Sequence, residues 1–439
     1  MREMKDSGIE WIGEIPKEWT VIKNKYVSKQ FTGNSIKDDE KSNYIDFTDA
    51  IAYISSKDID IQNNAVNYNN GMYIKKGDCS FKVAHVGDIL MCIEGGSAGR
   101  KKAYLRQNVC FVNKLCCFHP ININSKFLYY VLNSPHYEAE FNFNISGMIG
   151  GVTKSKLNNF VIPLPSNVMQ QKIANYLDRK CEKIDEMIAK EQEEIEKLNE
   201  YKDSLIEITI TKGLNKKADI VKSELKWIDG IPKHWKKYKL SQLCSSKKYS
   251  MVDGPFGSDM KNEEYVDEGV PIIQLTNIKK YNHYTEKLKF ITRDKHEQLK
   301  RHTAQKGDIA IAKMMPAGRA CILSDLYDEY VVAADAIRFS PDKTKVDKRF
   351  VLYCLNTYGM VESELESKGT TRIRISLDIA RNIKLYVPKL EEQTDIADFL
   401  DKKCNEIEKT IKLKEIKIEK IEAYKKSLIY ECVTGKKEV

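Results

Sequence analysis

The stretch that decides the fold is EWIGEIPKEW, residues 10–19, because a second version of it, KWIDGIPKHW, occupies residues 226–235. Trp19 and Trp235 are 216 residues apart, and so are the other matched Trp and Pro positions. All four tryptophans of the chain lie in these two stretches. Each stretch is interpreted as a hydrophobic clasp, in which Pro ends an extended segment and two indoles pack on a domain surface. Packing alone does not explain why the clasp occurs twice.

The duplication continues along the chain. VGDILMCIEGGSAGRKKAYL (86–105) is echoed by KGDIAIAKMMPAGRACIL (306–323), and QQKIANYLDRKCEKID (170–185) by EQTDIADFLDKKCNEIE (392–408). Two copies of roughly 220 residues are too long for a stacked solenoid repeat. The sequence therefore predicts a duplicated domain pair, in which each copy contains a clasp, a variable globular part, a proline and a long helix.

The globular parts, 17–160 and 233–385, contain short β-branched and aromatic runs broken by Gly, Asn and Pro, such as AIAYISS and VPIIQL. Such runs are typical of strands. After Pro165 and Pro388 the pattern takes a helical period, and Pro suits the entry to a helix. The predicted fold class is α+β, with two duplicated mixed α/β domains joined by two long antiparallel coiled-coil helices in pseudo-two-fold symmetry.

The helical segments carry a seven-residue pattern over four heptads. In the first segment, seven of the nine seam positions are apolar, and the same holds 223 residues later. This is coiled-coil patterning, and a helix with one apolar stripe needs a partner in water. The first seam is Leu177, Cys181, Ile184, Ile188, Glu191, Ile195, Leu198, Lys202 and Leu205.

The charged midpoints of the two seams indicate which helices pair. Glu191 is the midpoint of the first seam and Lys414 that of the second. An antiparallel pair within one chain brings the acid to the base, whereas pairing identical helices from two chains brings like charges together. A parallel pair also matches them, but it puts both globular parts at one end. We expect an intramolecular antiparallel pair, with Glu191 and Lys414 setting its register rather than its stability.

The length of the helices then predicts a function. At about 1.5 Å per residue, the 29-residue seam is roughly 43 Å long and a helix of about 40 residues roughly 60 Å. This length corresponds to on the order of 13 to 17 base pairs of B-DNA. Antiparallel helices would hold the globular parts at opposite ends, so two related but unequal readers on a fixed ruler imply a split, asymmetric DNA site.

Composition supports a nucleic-acid partner without requiring one. Lys plus Arg number 72 and Asp plus Glu 63, a net charge of +9 that suits a polyanion. The charged start and the lack of a long apolar stretch predict a cytoplasmic protein with no membrane span. Eleven cysteines without a CxxC pair are interpreted as reduced, buried thiols. The seven histidines show no HxxxH or HExxH spacing, so no metal site is expected.

The order of these phrases resembles the specificity subunit of type I restriction-modification systems over essentially the whole chain. The matching phrases are SGIEWIGEIPKEW and its echo, GDILMCIEGGSAGR and GDIAIAKMMPAGR, VDGPFGSDMKNEEYVDEGVPIIQLTNI, and EEQTDIADFLDKKCNEIE. The resemblance implies target-recognition domains at 1–165 and 215–388, each reading half of a bipartite site in double-stranded DNA. It implies helical regions at 166–214 and 389–439 as the spacer.

The resemblance also implies partners that do the chemistry. Two modification subunits would dock on this scaffold and methylate adenine N6 with S-adenosylmethionine, and restriction subunits could join them. In this chain the nearest approach to a [DNS]-P-P-[FY] methyltransferase motif is NSPHY at 133–137, and no G-x(4)-G-K-[ST] loop occurs. We therefore expect no catalysis and no cofactor in this chain.

Two other readings of the sequence stay open. The main alternative is a non-enzymatic coiled-coil adaptor that binds DNA without sequence preference. The other is an unrecognised nuclease, which the scattered acidic and His residues disfavour. Sequence-independent binding in a footprint assay would favour the adaptor, and magnesium-dependent cleavage by the purified chain would favour the nuclease.

Candidate DNA contacts lie first in the turn that follows each Gly-Asp-Ile strand. The turns are 95–100 and 315–319, where small residues let the backbone approach a phosphate and Arg can fork onto a guanine edge or a phosphate. A plain hairpin turn with a solvated Arg is the alternative. The candidates in and beside these turns are Arg100, Lys101 and Arg319.

Two further loops have the composition of DNA-binding segments. GMIGGVTKSK from Gly147 and GTTRIR from Gly369 each start with glycine, bear hydroxyls and are basic, as a backbone-tracking or base-reading loop should be. A third stretch, DGPFGSDMK (253–261), fits equally well as a turn around a buried Phe. The candidates are Thr153, Lys154, Lys156, Thr371, Arg372 and Arg374 in the loops, and Gly257, Ser258 and Lys261 in the third stretch.

Overall fold

The computed structural model describes residues 2–45, 49–147, 150–255, 259–367 and 373–439. The chain forms two compact units, of which the first contains both ends of the described chain and the second contains its middle. The first unit comprises Met1–Glu194 and Leu413–Val439, and the second comprises Ile195–Lys412. Two long helices each contribute one part to either unit. Within the described ranges, no helix has both the length and the apolar composition needed to cross a membrane.

The first unit contains twelve strands and three short α-helices among its described residues, and the first long helix begins in it. In chain order they are β1 (Met4–Asp6), β2 (Glu14–Pro16), β3 (Thr20–Lys23), β4 (Ser28–Thr32), β5 (Ala50–Ile54), β6 (Tyr73–Lys75), β7 (Val83–Ala84), β8 (Ile89–Cys92), β9 (Lys102–Tyr104), β10 (Val109–Phe111), β11 (Leu115–Pro120), α1 (Ser125–Leu132), α2 (Pro135–Phe143), α3 (Lys154–Asn159), β12 (Val161–Leu164) and α4 (Asn167–Lys212).

The second unit repeats this series with one additional helix, α5, and the second long helix begins in it. Its elements are β13 (Ile220–Lys222), β14 (Gly230–Pro232), β15 (Lys236–Lys239), β16 (Met251–Asp253), β17 (Val270–Ile273), β18 (Lys289–Ile291), α5 (Arg293–Gln298), β19 (Thr303–Gln305), β20 (Ile309–Ala312), β21 (Ala320–Ile322), β22 (Glu329–Val332), β23 (Ala336–Phe339), α6 (Lys348–Cys354), α7 (Met360–Glu366), α8 (Leu377–Asn382), β24 (Lys384–Val387) and α9 (Leu390–Val433).

Sheet topology is the same in both units. Two four-stranded sheets, β4-β11-β8-β9 and β6-β5-β10-β7, have counterparts in β16-β23-β20-β21 and β18-β17-β22-β19. Even the parallel pair within an otherwise antiparallel sheet recurs, as β5 with β10 and β17 with β22. The predicted duplication of mixed α/β domains is confirmed at the level of strand order.

The central strands form because their sequences are apolar on both faces. All residues of β8 and of β20 are buried, and these strands follow the two Gly-Asp pairs. A strand buried on both faces reads as a continuous apolar run, which is what ILMC and IAIA are. These strands therefore hold the turns that follow them, the candidate contact segments, in fixed positions.

The two long helices run antiparallel in each unit. In the first unit, Asp185 of α4 pairs with Lys425 of α9, while Glu191, further along α4, pairs with Lys414, which comes earlier in α9. In the second unit, Lys202 of α4 lies 3.3 Å from Glu408 of α9. Since partner numbers fall in α9 as they rise in α4, the antiparallel orientation is confirmed.

Each clasp packs on the ends of the long helices in its own unit. Trp19 is 1% exposed, and the hydroxyl of Tyr430 in α9 donates to the Ile12 carbonyl at 3.1 Å. Trp235 is 5% exposed, and its indole N–H donates to Glu392 near the start of α9 at 3.1 Å. The packing interpretation of the clasps is confirmed, and the indoles link each globular part to the helices.

The eleven cysteines are free thiols. Nine are buried, Cys244 is partly buried and Cys79 is exposed. The expectation of buried thiols therefore holds for most of them, with Cys79 the clear exception.

Candidate DNA interface

In the first unit, the turn after β8 and the loop before α3 lie side by side. The backbone N–H of Gly95 donates to the Gly150 carbonyl at 2.9 Å, and that of Val152 donates to the Ile93 carbonyl at 3.0 Å. Two segments far apart in sequence therefore form one edge. The sequence predicts each of them separately as a candidate contact segment.

The second unit builds the same edge with the same type of bond. The backbone N–H of Ile375 donates to the Lys313 carbonyl at 2.9 Å, and Met314 forms an isolated β-bridge with Arg374. These bonds join the turn after β20 to the segment before α8. The recurrence identifies this composite edge, turn plus loop, as a feature of the fold in both units.

The glycines of the two turns have different roles. Gly99 and Gly318 have φ values of 72° and 83°, and a Cβ there would meet Phe141 of α2 at 2.5 Å or Ser363 of α7 at 2.6 Å. These glycines therefore let a helix of the same unit approach the turn, rather than a phosphate. Gly95, with φ of 86°, has nothing within 4 Å of its Cβ position and stays available for close approach.

Arg100 and Arg319 do not occupy equivalent positions, although both follow the matched glycine. Met91 pairs with Lys102 across β8 and β9, whereas Ile311 pairs with Ala320 across β20 and β21. The turn of the first unit is thus one residue longer after its glycine. The structural counterpart of Arg319 is Lys101, and Arg100 is the additional residue.

The side chains at these positions confirm the new correspondence. Lys101 donates to the Ser56 carbonyl at 2.7 Å, and Arg319 donates to the Leu275 carbonyl at 2.8 Å. Each acceptor starts a 3₁₀ segment, Ser56–Asp58 or Leu275–Asn277. Burial lowers the pKa of Arg319, and its Nε is buried without a hydrogen-bond partner. Both cations thus anchor the turn to the domain.

Arg100 is the exposed cation of the first turn. Its guanidinium donates to the Gly96 carbonyl of the same turn. This contact holds the side chain at the turn while leaving it accessible. Among Arg100, Lys101 and Arg319, Arg100 therefore has the surroundings that suit contact with an external anion.

The loop of the first unit presents Thr153 and Lys154 to solvent. Thr153 is the N-cap of α3, and its hydroxyl accepts from the Lys156 N–H at 3.4 Å. Lys154 is exposed, whereas the Lys156 ammonium donates to the Asn144 carbonyl at 3.0 Å and to Ser146 Oγ at 3.3 Å. Lys156 therefore stabilises the loop, whereas the Lys154 side chain lies in solvent.

In the second unit, the two described candidate cations of the loop and the third stretch, Arg374 and Lys261, have different surroundings. Arg374 forms an ion pair with Asp335 at 2.8 Å, and Lys261 is exposed at the start of a 3₁₀ turn. Thr371, Arg372, Gly257 and Ser258 lie outside the described residues.

One residue near the edge escaped the sequence analysis. Lys313, 6% exposed, directly follows β20, and its ammonium lies 2.8 Å from the Asp253 carboxylate at the end of β16. This ion pair connects the turn after β20 to the start of the third candidate stretch. The sequence does contain a signal for Lys313, because this lysine directly follows the apolar run IAIA. A cation buried at that position requires an acidic partner.

A cleft of about 1070 Å³ opens beside Arg100 in the first unit. Burial lowers the pKa of Lys102, which lines it, to about 8. The wall of the cleft carries charged side chains of both signs. The basic ones are Arg106, Lys126, Lys425 and Lys426, and the acidic ones are Glu138, Asp178, Glu182, Asp185 and Glu186. Because both signs are present, the cleft lacks the one-signed surface that a DNA backbone requires.

The charged midpoint of the helix pair is a small network within the first unit. Lys414 donates to Glu191 at 3.0 Å and also to Glu194, and Lys417 donates to Glu191. Lys417 and Lys414 together hold the pKa of Glu191 below its usual value. The sequence pattern placed Glu191 opposite Lys414, while the contributions of Glu194 and Lys417 appear only in the structure.

Comparison with known proteins decides the family. The profile described as "Type I restriction modification DNA specificity domain" matches residues 16–197 and 232–419. The chain belongs to this type I specificity family. Both matched segments combine one globular part with part of a long helix, in agreement with the duplication.

Individual relatives give the same result. The type I restriction enzyme MjaVIII specificity subunit of Methanocaldococcus jannaschii is 27% identical over 366 residues, 81% of this chain and 80% of that protein. The type I restriction enzyme EcoBI specificity subunit of Escherichia coli is 22% identical over 428 residues, 92% of this chain and 85% of that protein.

A solved structure shares the fold. One chain of a structure on complex assembly and conformational transition of the type I R-M system has a TM-score of 0.70 at 15% identity, covering 95% of this chain and 98% of its own. With the family shown, the role of the type I specificity chain is DNA sequence specificity, and the adaptor reading is not favoured.

Proposed function

We propose that each unit reads one half of a bipartite, asymmetric DNA site, using the composite edge formed by its turn and its loop. The observation that carries this proposal is the repeated bond between the two segments, Val152 to Ile93 in one unit and Ile375 to Lys313 in the other. Because the edge recurs but its side chains differ, the two halves of the site would have different sequences.

The direct contacts differ in kind. Arg100 is proposed to read a base or clamp a phosphate, while Lys154 and Thr153 track the backbone. The proposed contacts of the second unit are Thr371, Arg372 and Arg374 in the loop, and Gly257, Ser258 and Lys261 in the third stretch. The recognition domains are proposed to span 1–165 and 215–388, with the helical regions 166–214 and 389–439 between and after them.

The helix pair is proposed to set the gap between the half-sites. Inserting one heptad at matched positions of α4 and α9 keeps the seam and adds about 10 Å, or roughly 3 base pairs, to the spacing. The methylated motif should then gain that gap with unchanged half-sites. An unchanged gap would contradict the ruler.

The chemistry is proposed to reside in partner subunits. Two modification subunits would dock on this chain and methylate adenine N6 with S-adenosylmethionine, and restriction subunits could join them. The purified chain alone would then neither methylate nor cleave DNA, while the chain with its modification subunits would methylate. Methyl transfer or magnesium-dependent cleavage by the chain alone would overturn this division of roles.

Methylome sequencing of the host with and without this gene tests the proposed function. The expected result is a split N6-methyladenine motif that disappears on deletion and returns on complementation. A methylation pattern that does not change on deletion would contradict the proposal. A footprint without sequence preference would instead favour the adaptor.

A further inference from the structure

A buried carboxylate, Asp88, directly precedes β8 in the first unit. Asp88 is 1% exposed and accepts the backbone N–H of His85 at 2.8 Å. In the second unit, Asp308 accepts the backbone N–H of Gln305 at 2.9 Å. The two Gly-Asp turns are therefore built alike. A buried carboxylate is costly unless a cation or strong donors compensate its charge.

The second unit supplies that cation from a neighbouring strand. Arg338 Nε lies 2.9 Å from Asp308 Oδ2. In the strand ladders, Arg338 pairs with Ala310, and Cys117 pairs with Leu90 at the corresponding position of the first unit. Cys117 carries no positive charge, and its Sγ lies 3.4 Å from Asp88 Oδ2. The first unit thus has a thiol where the second has a guanidinium.

Two histidines surround Asp88 instead. His119 Nδ1 lies 2.8 Å from Asp88 Oδ1, and His85 Nδ1 lies 3.9 Å from Asp88 Oδ2. One ligand atom from each of these three residues lies within 4.8 Å of the others. His85 comes from the turn before β8 and His119 from β11, so the pairing of β8 with β11 brings them together.

We propose that His85, Asp88 and His119 bind one divalent transition cation, of which Zn²⁺ fits best. Two imidazoles and one carboxylate are ligands that Zn²⁺ accepts, whereas Mg²⁺ and Ca²⁺ prefer oxygen alone. The His85 and His119 side chains are 60% and 45% exposed, so both have room to rotate toward a shared ion, for which Zn²⁺ bond lengths are about 2.0–2.2 Å. The ion supplies the positive charge that Arg338 supplies in the second unit.

The site is separate from the proposed DNA edge. Strand β8 lies between Asp88 and the turn 95–100, so the ion would bind at the opposite end of that strand. Its effect is on the stability of the first recognition domain and not on base reading. The inference therefore does not depend on the proposed function.

Sequence spacing could not reveal this site. His85 and Asp88 are three residues apart, but His119 belongs to another strand. The HxxxH and HExxH spacings describe ligands on a single helix, whereas strand pairing brings His119 to His85 and Asp88.

Metal titration of the untagged full-length chain tests the proposal. After treatment with EDTA and dialysis, ZnCl₂ should bind with one ion per chain by calorimetry and raise the thermal midpoint, while MgCl₂ should do neither. The variants His85→Ala and His119→Ala should each weaken Zn²⁺ binding at least about tenfold, in line with loss of a ligand. His85 is the first choice, since its exposed side chain is the less involved in folding.

The matched control is His234→Ala. His234 lies 2.8 Å from Glu392, so it forms a His–carboxylate pair, but it is not part of the His85 cluster. This variant should bind Zn²⁺ as the unchanged chain does. Equal affinity in His85→Ala and the unchanged chain, or absence of a stoichiometric site in the unchanged chain, would overturn the proposal.

Discussion

The two units agree where they contact the long helices and differ where they face the proposed DNA. Tyr130 donates to Asp178 of α4 at 2.6 Å, and Tyr353 donates to Asp401 of α9 at 2.8 Å. A buried glutamine at each helix start repeats its bonds as well, Gln170 to Pro165 and Gln393 to Pro388. These contacts recur bond for bond.

At the composite edges, by contrast, the backbone bonds and one anchoring cation, Lys101 or Arg319, recur, but the other side chains differ. Arg100 is an additional, exposed residue in the first unit, while Arg374 forms an ion pair with Asp335 in the second. Two domains that read different half-sites require the same scaffold but different contact surfaces. The following predictions test this division.

The largest effect is expected at the clasps. Trp19→Ala should reduce the free energy of unfolding by about 3–5 kcal/mol, because a fully buried indole leaves a cavity. Trp235→Ala should behave in the same way, since the clasps are equivalent parts of the scaffold. Denaturant unfolding measures both.

The partly buried indoles Trp11 and Trp227 serve as controls. Their replacement by Ala should cost less than the loss of Trp19 or Trp235. If Trp19→Ala changed DNA selectivity while leaving stability intact, the assignment of the clasp to the scaffold would be wrong.

The next largest effect should be a pH dependence of stability that differs between the two units. Burial raises the pKa of Glu140 in α2 to about 7, above the ordinary value of 4.5. The folded state therefore holds this proton more tightly, and the associated stability is lost as pH rises from 4.5 through about 7. Glu140→Gln should gain stability over the unchanged chain across this interval, by at most about 3 kcal/mol.

The side chains of Glu362 and His136 provide comparisons for Glu140 in the same experiment. Glu362 in α7 is also buried, but Lys384 lies 3.4 Å away, so Glu362→Gln should gain less. Burial lowers the pKa of His136 to about 3, so its contribution is lost as pH falls below 6.5. Melting curves at several pH values separate the stability that Glu140 loses as pH rises from the stability that His136 loses as pH falls. An advantage of Glu140→Gln that does not depend on pH would contradict the assignment.

A smaller loss is expected from charge reversal at the helix midpoint. Glu191→Lys places a third cation beside Lys414 and Lys417 and should lower the melting temperature. Adding Lys414→Glu should restore part of the loss, because Glu194 and Lys417 keep their charges. The control is Glu196→Lys on the exposed surface of α4. Equal melting temperatures for the two single variants would show that the midpoint does not set the register.

The smallest effect concerns salt dependence. Lys154→Ala should weaken binding to all DNA sequences alike and reduce the slope of log K against log salt by about 0.9. Lys17→Ala removes an exposed lysine of the clasp, which pairs with Glu3 outside it, and should leave the slope unchanged. Binding measured at several salt concentrations checks this, and a loss confined to one sequence would show that Lys154 reads a base.

Much of the scaffold could be predicted because its signals are local or periodic. The clasp, the prolines before the helices and the seven-residue seam are each visible in a short window of sequence. Their repetition after a nearly constant offset then predicted the duplication. The positions of Glu191 and Lys414 in the seam also predicted the antiparallel pair.

The edges could be predicted only as segments, because side-chain roles there depend on strand register. A turn that is longer by one residue separates Arg100 from Arg319, and the sequence alignment had matched them. The contact of Gly99 with Phe141 and the pairing of Lys313 with Asp253 join residues that are distant in sequence. No pattern within one segment contains that information.

The central claim is that each unit reads its own half-site, and Arg100→Ala tests it most directly. The variant is expressed with its modification subunits, and the N6-methyladenine motif is mapped across the host genome. The account predicts that DNA binding weakens by about 1–3 kcal/mol and that base selectivity relaxes at one position in one half of the motif. The other half and the gap should stay unchanged. Equal changes in both halves would contradict it.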